Sequence, residues 1–185
     1  HPGLVLENRL AETAPSGLAE FLDQLAAPTP TPGGGSAAAA AAAMAASLGA
    51  MVAGLASKKG VGGAPELGEQ LGEAREFFEK AAERDAAAYD AVRAAYRLPK
   101  DQRGPAVEAA LQGAAVVPLE VFERATALAP LLHRLREIAP PALHSDLETA
   151  AALLDAARRG ARANVETNLD GIQDEAFRNA ARRKL

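Results

Sequence analysis

The sequence predicts an all-α protein, an antiparallel bundle of about five helices around a central Ala-rich helix. Three observations predict it. Apolar residues recur at steps of three and four over long stretches, and few segments alternate with period two. Hydrophobic residues make up 49% of the chain but aromatics only 4%, so the core must be mostly Ala, Leu and Val. Alanine is also the best helix former. Short Gly- and Pro-containing connections separate the periodic stretches, and short connections favour antiparallel neighbours. With 185 residues the chain suits one domain, 1–185, with 1–15 read as a loose lead-in.

The elements follow in order. Ser16 can cap a short helix with Leu18, Phe21, Leu22 and Leu25 on one face. Pro28, Pro30 and Pro32 then enforce an extended chain, because the residue before each proline is also pushed out of the helical region. Gly33, Gly34 and Gly35 allow a tight turn. Ser36 to Ser57 carries no charge and is mostly Ala. Its length would suit a membrane span, but Ala and Gly are only weakly apolar, and the preferred reading is a central helix buried on all sides. Lys58 to Pro65 reads as a Gly-rich loop. The next helix, from about Glu66 to Arg97, has an inward stripe of Leu67, Leu71, Ala74, Phe78, Ala82, Asp85, Tyr89, Val92 and Tyr96, with Glu69, Glu73, Glu76, Lys80 and Arg84 on the wet side. Leu98 to Gly104 reads as a turn. A further helix, from about Pro105 to Ile138, has Val107, Leu111, Ala114, Val121, Ala125, Leu128, Leu132 and Leu135 inside. Pro118, and to a lesser degree Pro130, should bend it. Pro140–Pro141 ends that element. Ser145 with Glu148 reads as a capping box that opens a last helix through Leu147, Leu154, Ala157, Val165, Leu169 and Ile172, loosened at Gly160. The basic tail Arg182–Arg183–Lys184 suits a helix C-terminus.

Charge and composition narrow the function. A formal net charge of -4 argues against a general nucleic-acid binder. With no cysteine, disulfides and thiolate chemistry are excluded. His1, His133 and His144 lack metal-ligand spacing, so no metal is expected. The first residues show neither a charged nor an apolar leader segment, so a cytoplasmic location is expected.

Four groups of residues could carry chemistry. Gly33, Gly34, Gly35 and Ser36 open a helix, where free N–H groups and the helix dipole attract anions; the competing reading is a tightly packed turn. Asp85 falls inside an apolar stripe, and a carboxylate there needs a partner. Burial favours the neutral form of a carboxyl group, which suits acid–base work near neutrality; the competing reading is an inter-helix ion pair or hydrogen bond. Asn164 and Asn168 share one helix face although Asn is a poor interior residue; they either hold a ligand or bond between helices, and Asp174 lies further along. Asp146 follows the expected cap, but in a straight helix it lies roughly 27 Å from Asn164. One subunit cannot bring both to one small reacting group. Lys100 follows Pro99 in a loop and could meet an anionic tail, or simply face water. Tyr89 and Tyr96 read as core.

As an ordered set these segments resemble the cyclodeaminase half of formiminotransferase-cyclodeaminase and the related bacterial methenyltetrahydrofolate cyclohydrolases. The matching residues are Pro30–Thr31–Pro32–Gly33–Gly34–Gly35–Ser36 before an Ala-rich helix, Met51–Val52, Lys58–Lys59, Asp85 with Ala88–Tyr89, and Leu98–Pro99–Lys100. Pro118–Leu119, Ser145–Asp146, Asn164–Val165, Asn168–Leu169 and Asp174 complete the set. The match spans about residues 18 to 178. Gly54, Val61 and Leu143–His144 depart from the usual family pattern. The resemblance implies a homodimer of helical bundles with a folate pocket near the subunit contact, a tetrahydrofolate derivative as substrate, no prosthetic group and no metal. It implies either closure of 5-formiminotetrahydrofolate to 5,10-methenyltetrahydrofolate with loss of ammonia, or hydrolysis of the methenyl form to 10-formyltetrahydrofolate. A non-catalytic folate-binding scaffold is the third possibility. On this reading Asp85 and Asp146 are the catalytic acid–base pair. Gly33, Gly34, Gly35, Ser36, Lys100, Asn164, Asn168 and Asp174 bind substrate. No nucleic acid and no membrane partner is expected.

Overall fold

The computed structural model describes residues 16–185; the expected lead-in, 1–15, and the side chain of Ser16 lie outside the described residues. Among the described residues six helices run α1 Ser16–Ala26, α2 Gly34–Lys58, α3 Ala64–Tyr96, α4 Lys100–Ile138, α5 His144–Leu169 and α6 Glu175–Arg182, with one 3-10 turn at Pro141–Leu143. Helices α2 to α5 form the bundle: α2 packs on α3, α5 and, across the middle, α4, while α4 closes the ring against α3 and α5. Helix α1 touches the rest only slightly.

The core follows from the small residues. Ala39, Ala42, Ala45, Ala46, Val52 and Ala53 of α2 are fully buried. They bring α2 close to Leu67, Leu71 and Phe78 of α3, and to Leu128, Leu132 and Leu135 of α4, in one continuous apolar cluster. At Gly49 a Cβ would come within 2.7 Å of Leu132 and 3.1 Å of Leu71, so the packing of α2 on α3 and α4 at this level favours glycine. A second cluster of Ala115, Leu119, Val165, Leu169, Ile172 and Ala181 ties α6 to the ends of α4 and α5.

Several boundaries and faces differ from the sequence reading. Helix α2 is not buried on all sides: Met44, Met51 and Leu55 are exposed. Three neighbouring helices cover three sides of it and leave the fourth open. By length and composition α2 could cross a membrane, but 44% of its apolar window is buried inside the bundle. Tyr89 and Tyr96 are not core; they are 39% and 52% exposed. Helix α3 continues some eleven residues, about 16 Å, past the level of α2's first turn, so α2 does not reach them. Helix α4 starts at Lys100 rather than Pro105, because the Pro99 carbonyl already accepts from Gln102 and Arg103. It runs unbroken through Pro105, Pro118 and Pro130.

The capping box at Ser145 does not form. The 3-10 turn carries the chain into α5 at His144, one residue earlier, with no side-chain cap, and Glu148 pairs with Arg136 of α4 instead. Helix α5 is continuous through Gly160, where it packs tightly on α2: a Cβ there would meet Ala38 at 3.1 Å. The expected last helix is two, parted at Asp170–Asp174, and Asp174 caps α6 by accepting from the Phe177 N–H at 3.0 Å. Between α2 and α3, Gly60 and Gly63 take φ of +77° and +78°, the left-handed region open to glycine.

Candidate functional site

The site is built where α2 begins. Gly33 stands in extended backbone as the residue before the helix, and its carbonyl takes the first helical bond, from Ala37 at 3.0 Å. The amides of Gly34, Gly35 and Ser36 therefore have no partner within the helix and point along its axis, out of its N-terminus. Helices α3 and α5 flank them.

Asp85 comes from α3. A Cβ on Gly35 would overlap the Asp85 carboxylate, 2.6 Å from its Cγ and 2.7 Å from Oδ2. Glycine at 35 is thus a steric condition for the carboxylate to lie against the turn. Ser36, 1% exposed, donates its hydroxyl proton to Asp85 Oδ2 at 2.9 Å, with the Ala82 carbonyl 3.2 Å away as the other acceptor. The half-buried carboxylate is fixed by this hydroxyl and by the close approach of the turn. It makes no inter-helix ion pair among the described residues.

Asn164 comes from α5. Its Nδ2 donates to the Gly160 carbonyl one turn back at 2.8 Å, and its amide lies beside Gly34, where a Cβ would be 3.2 Å from Nδ2. Gly34, Gly35, Ser36, Asp85 and Asn164 thus meet at one place, from three helices widely spaced in sequence.

Asn168 has a different task. Its Nδ2 donates to the Ala114 carbonyl at 3.0 Å. Pro118 has no N–H, so the carbonyl four residues before it loses its helical partner. That carbonyl belongs to Ala114, and Asn168 satisfies it from the neighbouring helix. This bond is what lets α4 carry a proline in its interior without an unpaired buried acceptor.

The remaining residues named from the sequence lie elsewhere. Asp174 is the exposed cap of α6. Asp146 sits half-buried in the first turn of α5, some 27 Å along that helix from Asn164. Lys100 opens α4 and lines a groove with Tyr96, Arg103, Val107, Glu108 and Gln173 at the far end of the α3 overhang. No pattern in the sequence marks Glu108, whose partners lie 65 residues away. Its carboxylate accepts from the Gln173 N–H at 2.9 Å and the Asp174 N–H at 3.0 Å. These backbone donors, Gln173 first, hold Glu108 below its ordinary value against opposing burial and the nearby charge of Asp174. Tyr89, placed in the core by the sequence reading, stands one turn beyond Asp85 with its side chain exposed. The overhang of α3 is the signal that frees it.

The family model described as formiminotransferase-cyclodeaminase matches residues 17–185. The chain belongs to the formiminotransferase-cyclodeaminase family. The crystal structure of formiminotetrahydrofolate cyclodeaminase from Thermotoga maritima superposes with a TM-score of 0.84 at 34% identity, covering 95% of this chain and 88% of that one. The formimidoyltransferase-cyclodeaminases of Sus scrofa and Rattus norvegicus are 36% and 34% identical over 107 residues, 55% of this chain. The chain spans about a fifth of the length of these curated relatives, 20% in each case. Membership in the formiminotransferase-cyclodeaminase family fits the all-helical architecture of the described residues, and the cluster at the start of α2 is the candidate site.

Proposed function

We propose that this chain is a folate one-carbon enzyme that converts 5-formiminotetrahydrofolate to 5,10-methenyltetrahydrofolate with release of ammonia. The observation that carries the reading is the meeting of Asp85, held by Ser36, with the glycine turn and Asn164. The similarity to a protein named formiminotetrahydrofolate cyclodeaminase supports the choice of substrate.

The chemistry needs one proton to be moved. Folate N10 attacks the protonated formimino carbon, a new N10–C bond forms, and the N10 proton passes to the Asp85 carboxylate. Asp85 then returns that proton to the amino group of the tetrahedral adduct. The C–NH3 bond breaks as the ring nitrogen pair forms the C=N bond, leaving the methenyl cation and ammonia. A single carboxylate that takes and gives back one proton suffices. Asp146, about 27 Å away along α5, is therefore not required at the reacting carbon in this reading. The free amides of α2's first turn and the Asn164 amide would orient polar pterin atoms, and Tyr89 offers a ring face. The elongated substrate would run along the α3 overhang towards Lys100 and Arg103, whose charges suit its glutamate carboxylates.

Incubation with 5-formiminotetrahydrofolate tests the reading. Growth of the methenyl absorbance together with ammonia supports it. Loss of that absorbance from added methenyltetrahydrofolate would instead assign cyclohydrolysis, and tight binding with neither outcome would assign a folate-binding scaffold.

A further inference from the structure

The Ser36 hydroxyl has one proton and two acceptors. Asp85 Oδ2 lies 2.9 Å from its oxygen and the Ala82 carbonyl 3.2 Å. Ser36 is 1% exposed, so bulk solvent offers no third. Both acceptors belong to α3, and both are in reach of one position of the Ser36 oxygen. Rotation of the hydroxyl hydrogen alone takes the bond from one to the other.

Charge decides between them. A hydrogen bond to an ionised carboxylate is roughly twice as strong as one to a neutral acceptor, so Oδ2 takes the proton while Asp85 is ionised. Once Asp85 is protonated its oxygens are neutral acceptors, and the amide oxygen of Ala82, which carries more negative charge than an acid carbonyl, takes the hydroxyl instead. That oxygen already accepts the N–H four residues on in α3 and keeps a second lone pair for Ser36. The buried hydroxyl is therefore satisfied in both states, and the state of Asp85 sets its direction. The surrounding elements present no competing charge. Helix α2 offers the amides of its first turn and no charged side chain from Gly34 to Ser57. Arg84 of α3 is committed to Glu120 of α4 at 2.8 Å. On α5, Asn164 is neutral, and Arg162 and Glu166 pair with each other at 3.0 Å.

We propose that Ser36 is a positioning residue that works as a two-way hydroxyl switch: it holds the Asp85 carboxylate through Oδ2 until the carboxylate takes a proton, then turns to the Ala82 carbonyl and releases it. The use of the switch rests on the folate reading above; the switch itself does not. In that reading Asp85 takes a proton from N10 and returns it to the amino nitrogen, and the two nitrogens are bonded to the same carbon. The ionised carboxylate has to be held in place to meet the first. The protonated carboxyl then has to redirect its proton to the second, which needs freedom about the Cβ–Cγ bond, a soft torsion. Release by Ser36 supplies that freedom at the moment it is needed. When the proton has passed to the amino group, Asp85 is a carboxylate again and the hydroxyl returns to Oδ2. Ser36 keeps its own proton throughout.

Infrared difference spectra of the full chain without ligand test the switch, with the Asp85 bands assigned by subtraction of Asp85→Asn. In Ser36→Ala the stretch of the ionised carboxylate is expected to shift from the parent's, because a donor is lost. The carbonyl stretch of the protonated carboxyl, reached by acidification with helicity retained, is expected to coincide with the parent's. A shift of both bands would make Ser36 a permanent donor and overturn the switch, and a shift of neither would remove the bond itself. Ser36→Cys keeps a weak donor; it is expected to shift the ionised band less than Ser36→Ala does, and it carries the test if Ser36→Ala fails to fold. In turnover, Ser36→Ala is expected to lower kcat by up to about 10²-fold, the scale of a misplaced reacting group, with KM within about twofold. A raised KM with kcat unchanged would make Ser36 a ligand contact and overturn the positioning role. A parent protein that turns over no folate but shows the one-band shift would remove the reaction and leave the switch standing.

Discussion

Replacing Gly35 by Ala adds a single methyl group at the point where α2 and α3 carry the site. In the structure that Cβ would lie 2.6 Å from Asp85 Cγ, about 0.8 Å inside the 3.4 Å limit of ordinary contact. Neither the helix start nor the carboxylate can yield freely, because Ser36 is buried and bonded to the same carboxylate. Overpacking of this kind costs about 1–3 kcal/mol. Loss of a hydrogen bond to a charged group adds about 1.5–3 kcal/mol, while alanine recovers up to ~1 kcal/mol of helix preference. The net expectation is a destabilisation of roughly 2–4 kcal/mol by these magnitudes, with folate turnover lost even in the folded fraction. Urea denaturation followed by circular dichroism gives the first quantity and methenyl absorbance the second. Gly113→Ala is the control: it lies in α4 with nothing within 4 Å of the added Cβ, and it should stabilise by about 0.5–1 kcal/mol. A Gly35→Ala protein as stable and as active as the parent would refute the steric argument for the turn.

Three further outcomes follow from the same geometry. Asn168→Ala should cost about 1–3 kcal/mol by leaving the Ala114 carbonyl unpaired, and much less in a Pro118→Ala background, where the restored N–H takes that carbonyl; equal costs in both backgrounds, measured by a double-mutant cycle, would dissociate Asn168 from the proline. Glu108 sits below its ordinary value through the N–H groups of Gln173 and Asp174, so its contribution is present above the ordinary glutamate range and fades as pH falls through its lowered value. The amide chemical shift of Gln173 should therefore move with acidification in the parent protein and move much less in Glu108→Gln. Phe78→Ala, at a fully buried position, should cost about 3–5 kcal/mol in denaturant without altering the ligand preference of the folded protein.

Much of the bundle is legible in the sequence because its inner stripes obey one period. Leu67, Leu71, Ala74 and Phe78 are all buried, as are Val121, Ala125, Leu128, Leu132 and Leu135. The stripe fails at Tyr89 and Tyr96 for a reason that periodicity cannot contain: α3 outruns its partner helix, so the same face meets solvent. The outward face of α2 fails similarly, since an Ala-rich helix looks alike from every side until the number of neighbours is known. At the site, Gly35, Ser36 and Asp85 were legible from a glycine turn and a carboxylate within an apolar stripe, and their contact across 49 positions follows from the antiparallel pairing of α2 and α3. The roles of Asn168 and Glu108 were not, because each depends on a backbone group freed or presented by a distant element, the Pro118 interruption and the Asp170–Asp174 break.

The most direct measurement is the single-turnover rate of 5-formiminotetrahydrofolate closure by Asp85→Asn, a substitution that keeps an oxygen for the Ser36 hydroxyl. With fold and ligand binding retained, the account predicts a fall of about 10²–10⁴ in that rate. A rate equal to the parent's would contradict it, and the proton would have to travel by another group.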